Sequence, residues 1–180
     1  MTNILDKIIA EKKNSLDLIK KEKSLNTLEK NIKGQRYFNF KEKIEKNNNV
    51  SLIAEIKKAS PSAGVLVDNF DHLEIAKMFV NNGATCLSVL TEEKHFLGRL
   101  DYIQDIKKQL QIPILAKDFF IDPYQITLSK SYGCDCVLII IAALSKTQSE
   151  EIYSEALKHN LSVIVEVHDQ KEAEMALKFD

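Results

Sequence analysis

Hydrophobic residues recur with a helical period in the first part of the chain. In residues 3–23, isoleucine and leucine side chains repeat at helical spacing with lysines between them, which predicts an amphipathic helix. Residues 24–36 are polar and are predicted to form a connection. A second, short helix is predicted over the string FNFKEKIEK, and three asparagines at positions 47–49 then interrupt the pattern. Residues 1–50 are therefore predicted to form a helical extension.

From residue 51 onward, short apolar runs alternate with amphipathic segments. Five apolar runs predict β-strands that begin near residues 51, 84, 113, 134 and 161, and a predicted helix follows each of them. Alternation of this kind is typical of a parallel sheet covered by helices, so the predicted fold class is α/β. Capping residues are predicted to begin four of these helices, namely Asp71, Asp122, Thr147 and Asp169.

Two architectures agree with the alternation: an open doubly wound sheet and a (β/α)8 TIM barrel. No G-x-G-x-x-G motif follows the first predicted strand, which disfavours a dinucleotide-binding open sheet. Charged residues lie near the C-terminal ends of only the first, third and fifth predicted strands. Because each interior layer of a barrel is filled from alternate strands, this pattern favours the barrel. A complete barrel typically takes about 250 residues, so residues 51–180 are predicted to form an incomplete barrel of about five units.

Four charged residues lie near the C-terminal ends of these three predicted strands. Glu55 and Lys57 end the first strand, Lys117 the third and Glu166 the fifth. Active sites of barrel enzymes are built at this end of the strands. Buried charges need partners, so we expect these side chains to pair with one another or with an anionic ligand. Two carboxylates beside two lysines also suit acid–base catalysis near neutral pH.

The segments after the first three predicted strands add small and aromatic residues at the same end. Ser60 begins a loop of small residues over positions 60–64, which lets backbone amides approach a ligand. Phe96 follows the second strand, and Phe119 and Phe120 follow the third. These rings are expected to wall an apolar pocket. The four histidines have no ligand-like spacing, and no metal site is predicted.

Composition narrows the function classes. The formal net charge is −1, which excludes the broad basic surface of a nucleic-acid binder. Hydrophobic residues make up 44% of the chain, a globular composition. The longest apolar run covers residues 137–144, far shorter than a membrane span, and the N-terminus lacks the apolar core of a signal peptide. The sequence therefore predicts a cytoplasmic protein without a membrane partner.

Four strings carry a resemblance to a known family. They are IAEIKKASPSAG, SVLTEEKHF-x-G, PILAKDFFIDPYQI and VIVEVHD. In this order and spacing they closely resemble indole-3-glycerol phosphate synthase of tryptophan biosynthesis, a (β/α)8 barrel with an N-terminal helical extension. The resemblance implies a cofactor-independent carboxy-lyase. It would convert the phosphorylated substrate 1-(2-carboxyphenylamino)-1-deoxyribulose 5-phosphate to indole-3-glycerol phosphate, with loss of CO₂ and water.

The resemblance also implies roles for individual residues. Lys117 matches the main general acid, Glu166 an acid/base for the dehydration, and Glu55 a residue that orients the lysines. Lys57 matches a position that binds substrate anions and shares in the acid role. Three further positions match substrate-binding residues: Ser60, Phe96 and Phe119.

The family's motifs after strands six to eight have no counterpart in the chain, so the resemblance predicts an N-terminal portion of the enzyme. It also allows fusion or association with phosphoribosylanthranilate isomerase, as in some bacteria. Two alternatives stay open on the residues alone. A desolvated strand-end lysine would suit a Schiff-base aldolase on the same fold, and an incomplete barrel would suit an inactive truncated product or an interaction module.

Overall fold

A computed structural model describes residues 4–46 and 50–179 of the chain. Five strands form its main sheet: β1 (Ile53–Ile56), β4 (Cys86–Leu90), β5 (Ile114–Lys117), β6 (Cys136–Ile140) and β7 (Ser162–Glu166). Two shorter strands, β2 (Ala59–Ser60) and β3 (Gly64–Val65), form a separate antiparallel pair. The helices are α1 (Ile4–Glu22), α2 (Leu25–Ile32), α3 (Phe40–Glu45), α4 (His72–Asn81), α5 (Leu100–Gln109), α6 (Tyr124–Ser131), α7 (Lys146–Lys158) and α8 (Gln170–Ala176).

The main sheet is parallel throughout, and its spatial order follows the chain order, β1-β4-β5-β6-β7. All five predicted strands are thus confirmed, and a helix follows each one. The order lacks the reversal of a doubly wound sheet and agrees with successive units of a barrel. β6 is buried along its whole length, whereas every residue of β7 is only half-buried.

Side chains alternate between two apolar layers across the sheet. Leu87, Val89 and Val137 face the helices and belong to the larger core cluster. Cys86, Leu115 and Leu138 face the opposite, inner side and form a second cluster. This alternation follows from the period of two in a strand. It places Glu55 on the inner face, because Ala54 and Ile56 on either side of it pack against the helices.

The N-terminal extension contacts the sheet at both ends of its strands. Lys12 of α1 pairs with Asp118 after β5 at 2.6 Å. α2 packs against α6, where Leu28 lies in a cluster with Leu128. Phe40 of α3 is 1% exposed and packs among the residues that begin the inner face. The extension therefore runs from the C-terminal end of the strands to their N-terminal end.

The predictions for individual elements have mixed outcomes. Helices over residues 3–23 and FNFKEKIEK are confirmed as α1 and α3, while the predicted break at positions 47–49 lies outside the described residues. The prediction of a connection over residues 24–36 is wrong, because α2 forms there with Ser24 as its N-cap. The loop predicted over residues 60–64 contains the end of β2 and the start of β3.

Two of the four predicted helix caps are confirmed, because the carboxylates of Asp71 and Asp169 accept amide hydrogen bonds at the N-caps of α4 and α8. Asp122 is not the N-cap of α6, since Pro123 occupies that position, although the Asp122 carboxylate accepts the amide hydrogen of Tyr124 at 2.9 Å. Thr147 is not the cap of α7, because Ser145 caps that helix in a reciprocal capping box with Gln148. No helix within residues 4–46 and 50–179 is long and apolar enough to cross a membrane.

A buried ion pair stabilises the N-terminal end of the strands. The Asp135 carboxylate, just before β6, accepts two hydrogen bonds from Lys107 Nζ at 2.8 and 3.0 Å. It also accepts the amide hydrogens of Phe38 and Ile114, at 2.7 and 2.9 Å. The Asp135 side chain is 0% exposed. One carboxylate thereby joins α5, the start of β5 and the N-terminal extension.

Candidate active site

A cavity of about 460 Å³ lies along the inner face of the sheet and reaches the C-terminal ends of its strands. Glu55 of β1, Lys117 of β5 and Glu166 of β7 all line it. The remaining lining residues are apolar except Ser88 of β4. The structure therefore brings together three of the predicted site residues in one cavity, on the side of the sheet that the strand period predicts.

Two lysines converge on a single carboxylate in this site. Lys57 Nζ lies 2.7 Å from one oxygen of Glu55, and Lys117 Nζ lies 2.9 Å from the other. The three side chains are each about one-third exposed, so solvent and a ligand have access to them. We refer to this group as the Lys57–Glu55–Lys117 row.

The row determines the ionisation of Glu55. Partial burial tends to raise the pKa of the Glu55 carboxyl, because desolvation disfavours its charge. Hydrogen bonds from Lys57 and Lys117 outweigh that effect, and the net pKa lies below the ordinary value for glutamate. Glu55 is consequently a permanent anion near neutral pH that holds two ammonium groups on one side of the cavity.

Glu166 lies on the same cavity but outside the row. Its carboxylate is 3.3 Å from His168 Nε2, and His168 in turn contacts Glu172 of α8 at 3.2 Å. The Glu166 side chain is 38% exposed. The cavity thus presents a paired carboxylate on β1 and an accessible carboxylate on β7.

Two of the predicted pocket rings contact each other, but neither of them lines the cavity. The rings of Phe96 and Phe119 are 6.2 Å apart between centroids and tilted by 43°. Both residues are half-buried, whereas Phe120 is 2% exposed and belongs to the core. Ser60 accepts the amide hydrogen of Ala63 at 3.3 Å within the β2–β3 turn, and Ala59 donates its amide hydrogen to the Phe96 carbonyl at 3.2 Å. The turn and the Phe96 loop are therefore adjacent.

Sequence reasoning missed the residues that hold these loops in place. Asp118 accepts hydrogen bonds from Thr91 Oγ1 at 2.9 Å and from its neighbour's amide at 2.8 Å, in addition to its ion pair with Lys12. Glu11, the residue before Lys12, lies 3.2 Å from His95 Nε2. One turn of α1 therefore contacts both loops that carry the aromatic rings. The partners are far apart in sequence, so the sequence offers no sign of these contacts beyond the charged residues of α1.

The Phe96 loop also has an internal framework that the sequence did not reveal. The buried carboxylate of Glu92 accepts three amide hydrogens, from Lys94, His95 and Phe96, at 2.6 to 3.1 Å. Gly98 donates its amide hydrogen to the Glu92 carbonyl at 2.7 Å. A Cβ atom on Gly98 would lie 2.2 Å from the Leu90 carbonyl oxygen. The position therefore requires glycine.

Other candidate sites do not gather comparable chemistry. A larger cleft of about 1190 Å³ runs along β7 towards α7 and the N-terminal extension, and it contains none of the predicted site residues. Within residues 4–46 and 50–179, no group of three or more His, Cys, Asp or Glu side chains is arranged to hold a metal ion. Cys134 and Cys136 are buried, and burial raises the pKa of both thiols.

The sheet order and the charged cavity at the C-terminal strand ends are those of the (β/α)-barrel class of enzymes. Comparison with known proteins identifies the family. The family model for indole-3-glycerol phosphate synthase matches residues 5–180. A curated protein of that name from Legionella pneumophila (strain Paris) is 42% identical over 178 residues, which cover 99% of this chain and 69% of the relative.

A second relative of the same name, from Azospirillum brasilense, is 50% identical over 126 residues, which cover 70% of this chain. The matched region spans 48% of that relative's length. The chain belongs to the indole-3-glycerol phosphate synthase family. Among solved structures, an enolase (putative galactarate dehydratase) from Agrobacterium radiobacter is similar with a TM-score of 0.50 at 12% identity, covering 76% of this chain and 33% of that one. That likeness concerns the fold alone.

Proposed function

We propose that this chain supplies the acid–base machinery of an indole-3-glycerol phosphate synthase, acting on 1-(2-carboxyphenylamino)-1-deoxyribulose 5-phosphate. The observation that carries the proposal is the Lys57–Glu55–Lys117 row, which faces the same cavity as Glu166. Family membership supplies the substrate class. The reaction forms one C–C bond and releases CO₂ and water, so each step needs only proton transfers and charge stabilisation.

Lys117 is the proposed general acid for ring closure. The ring carbon that bears the carboxylate attacks the ketone carbon of the substrate, and Lys117 gives its proton to the ketone oxygen. Loss of CO₂ then returns an electron pair to the ring. Lys117 can reach the substrate because its side chain is 37% exposed, while Glu55 keeps its ammonium group at the cavity.

Glu166 is the proposed acid/base for the dehydration. The new hydroxyl group leaves as water after it accepts a proton from Lys57, which shares the acid role, and Glu166 removes a proton from the ring system. Glu166 fits this role because it lines the same cavity as Glu55 and Lys117 and is accessible. No metal or organic cofactor is required by this scheme, and cofactor independence is part of the proposal.

Substrate binding is assigned to the residues around the row. Lys57 would hold an anionic group of the substrate, Phe96 and Phe119 would contact the aromatic ring, and Ser60 would face the substrate from the β2–β3 turn. The two rings contact each other at 6.2 Å between centroids, so they would offer the substrate ring one continuous apolar surface. A cytoplasmic location and an association with phosphoribosylanthranilate isomerase stay proposals from the sequence.

The test is direct assay with synthetic substrate. The 180-residue chain is assayed alone and joined in frame to the unaligned remainder of the Legionella relative, and formation of indole-3-glycerol phosphate is followed by chromatography. We expect product from the joined protein and its loss in the Lys117→Met variant. Absence of product from a folded joined protein would overturn the proposal. A borohydride-stable adduct on Lys117 would instead support the Schiff-base aldolase.

A further inference from the structure

Ser88 is the polar residue of the cavity that the proposed mechanism leaves unused. Its side chain is buried, with 4% of the residue exposed. Among the described residues, its Oγ is one of two buried side-chain N or O atoms without a hydrogen-bond partner. The other, His72 Nε2, stands outside the cavity, 3.5 Å from an Asp105 oxygen. A buried hydroxyl without a partner is costly, so its presence at the site calls for a reason.

The register of the sheet places Ser88 next to Glu55. Glu55 of β1 and Ser88 of β4 are Cα partners in adjacent parallel strands, and both side chains face the cavity. A serine hydroxyl moves between three staggered positions by rotation about one bond. In the structure, both oxygens of Glu55 already accept a lysine, Lys57 on one and Lys117 on the other. Each oxygen of Glu55 keeps a further lone-pair direction, so Ser88 is a donor on the neighbouring strand beside a carboxylate that can accept another hydrogen bond.

The proposed chemistry removes one of the two lysine donors from Glu55. Lys117 is bound to Glu55 at 2.9 Å and must turn towards the ketone oxygen to protonate it. When it turns, one oxygen of Glu55 loses a charge-assisted hydrogen bond inside a partly desolvated cavity, which is unfavourable for a carboxylate. We propose that Ser88 is a positioning residue that donates its hydroxyl hydrogen to Glu55 when Lys117 turns to the substrate. This inference rests on the proposed function.

The role gives the unpartnered Ser88 hydroxyl a function at the moment when Glu55 loses Lys117. A hydrogen bond to the ionised carboxylate keeps Glu55 charged, so Glu55 does not compete with the ketone for the Lys117 proton. The charged groups that face Glu55 are Lys57 on its own strand, Lys117 on β5 and Glu166 across the cavity on β7. The removal of Ser88 leaves Lys57 as the remaining donor to Glu55 during proton transfer.

The test compares Ser88→Ala with Ser88→Thr, which keeps a hydroxyl group. In the protein that turns over the substrate, we expect Ser88→Ala to lower kcat by about tenfold, the effect of one hydrogen bond to a charged group, with little change in KM. Ser88→Thr should recover most of kcat. The acidic limb of the kcat–pH profile should move to higher pH in Ser88→Ala, because Glu55 then takes up a proton more readily.

Thermal stability separates this role from a structural one. Removing an unpartnered hydroxyl should leave the Tm of Ser88→Ala unchanged or higher. Ser149→Ala is the matched control, because Ser149 is equally buried but donates to the Lys146 carbonyl at 2.7 Å on α7, away from the cavity. We expect a lower Tm and an unchanged kcat from the control.

Two results would overturn the role of Ser88: an unchanged kcat and pH profile in Ser88→Ala, or a fall in Tm that matches the loss of activity. Failure of the proposed function has a different signature. The wild-type protein would then neither turn over the substrate nor bind, by calorimetry, the substrate analogue in which the ketone is reduced to an alcohol. The assignment of Ser88 would be withdrawn with it.

Discussion

Both ends of the parallel sheet carry a lysine–carboxylate pair, and the two pairs differ in how much freedom they retain. At the N-terminal end, Asp135 accepts four hydrogen bonds and its side chain is fully buried against Lys107. At the C-terminal end, Glu55 accepts only lysines, and its side chain is 29% exposed. A carboxylate with every lone-pair direction occupied by the protein joins elements, whereas one with accessible partners can take part in chemistry.

The two pairs also differ in the direction of the pKa shift. Burial raises the pKa of Asp135 despite the attraction of Lys107, and burial lowers the pKa of Lys107. The pKa of Glu55 is instead lowered, because two accessible lysines outweigh partial burial. Burial therefore disfavours the charged forms of Asp135 and Lys107, and the amide hydrogen bonds to Asp135 offset part of that cost. In the C-terminal row, the lysines favour the charged form of Glu55.

The largest expected effect comes from the accessible end. Lys117→Met should lower kcat by about 10²–10⁴-fold, the usual contribution of a general acid, while the Tm changes little because the side chain is partly exposed. Steady-state kinetics and thermal unfolding of the joined protein measure both quantities. A fall in Tm as large as that caused by a substitution in the hydrophobic core would contradict the conclusion that this end of the sheet serves chemistry more than stability.

The buried end should respond in the opposite way. Lys107→Met should lower the free energy of unfolding by about 3–5 kcal/mol, since it leaves the Asp135 charge buried without its partner, and kcat per folded molecule should be unchanged. Denaturant unfolding measures the free energy of unfolding. Active-site titration combined with steady-state kinetics measures kcat per folded molecule. The neighbouring Lys108→Met is the control, because Lys108 is 63% exposed and pairs with Asp105 on the surface. A change under about 1 kcal/mol is expected there.

The two lysines of the row should also be distinguishable from each other. Lys57→Met should raise KM by about tenfold, the effect of losing one charge-assisted hydrogen bond to an anionic group, with a smaller effect on kcat than Lys117→Met. The reason is that a bound anion is present in the ground state, whereas proton donation acts in the transition state. Equal losses confined to KM in both variants would show that neither lysine is the proton donor.

The smallest expected effect is a pH dependence of stability. The folded-state pKa of Glu55 is lowered, so unfolding takes up a proton as the pH falls through the ordinary glutamate range. The row therefore contributes stability above that range, and the contribution is lost as the pH falls through the lowered pKa. The difference in unfolding free energy between wild type and Glu55→Gln should narrow on acidification. Because the groups are partly exposed, it should stay below about 1 kcal/mol; a difference that is constant with pH would contradict the argument.

The sequence predicted the fold because its signals are local and repeated. Five short apolar runs with amphipathic helices between them indicate a parallel sheet without any knowledge of distant contacts. The inner-face position of Glu55 follows from the alternation of side chains along a strand. α2 was missed because its eight residues are polar on most sides, and it is stabilised by packing against α6.

The site could be predicted only where charge interrupts an apolar strand. That rule found Glu55, Lys117 and Glu166, and it could also have found Asp135, a lone carboxylate in the string CDCVLIII. It could not find Ser88, since a serine within a strand is unremarkable until its neighbours and missing partner are known. Nor could it find the pairing of Lys12 with Asp118. These residues are 106 positions apart and belong to types that are mostly exposed in proteins.

The internal framework of the Phe96 loop has a consequence for how the site can diversify. Both ends of the loop are fixed, Glu92 by the three amides that it gathers and Gly98 by the closeness of the Leu90 carbonyl. Glu93 and Lys94 between them are exposed. The loop thus has two end residues that cannot change and intervening positions that can. A library aimed at altered ring recognition should randomise position 96 and keep Glu92 and Gly98 unchanged. The loop keeps its conformation only when both end residues are retained.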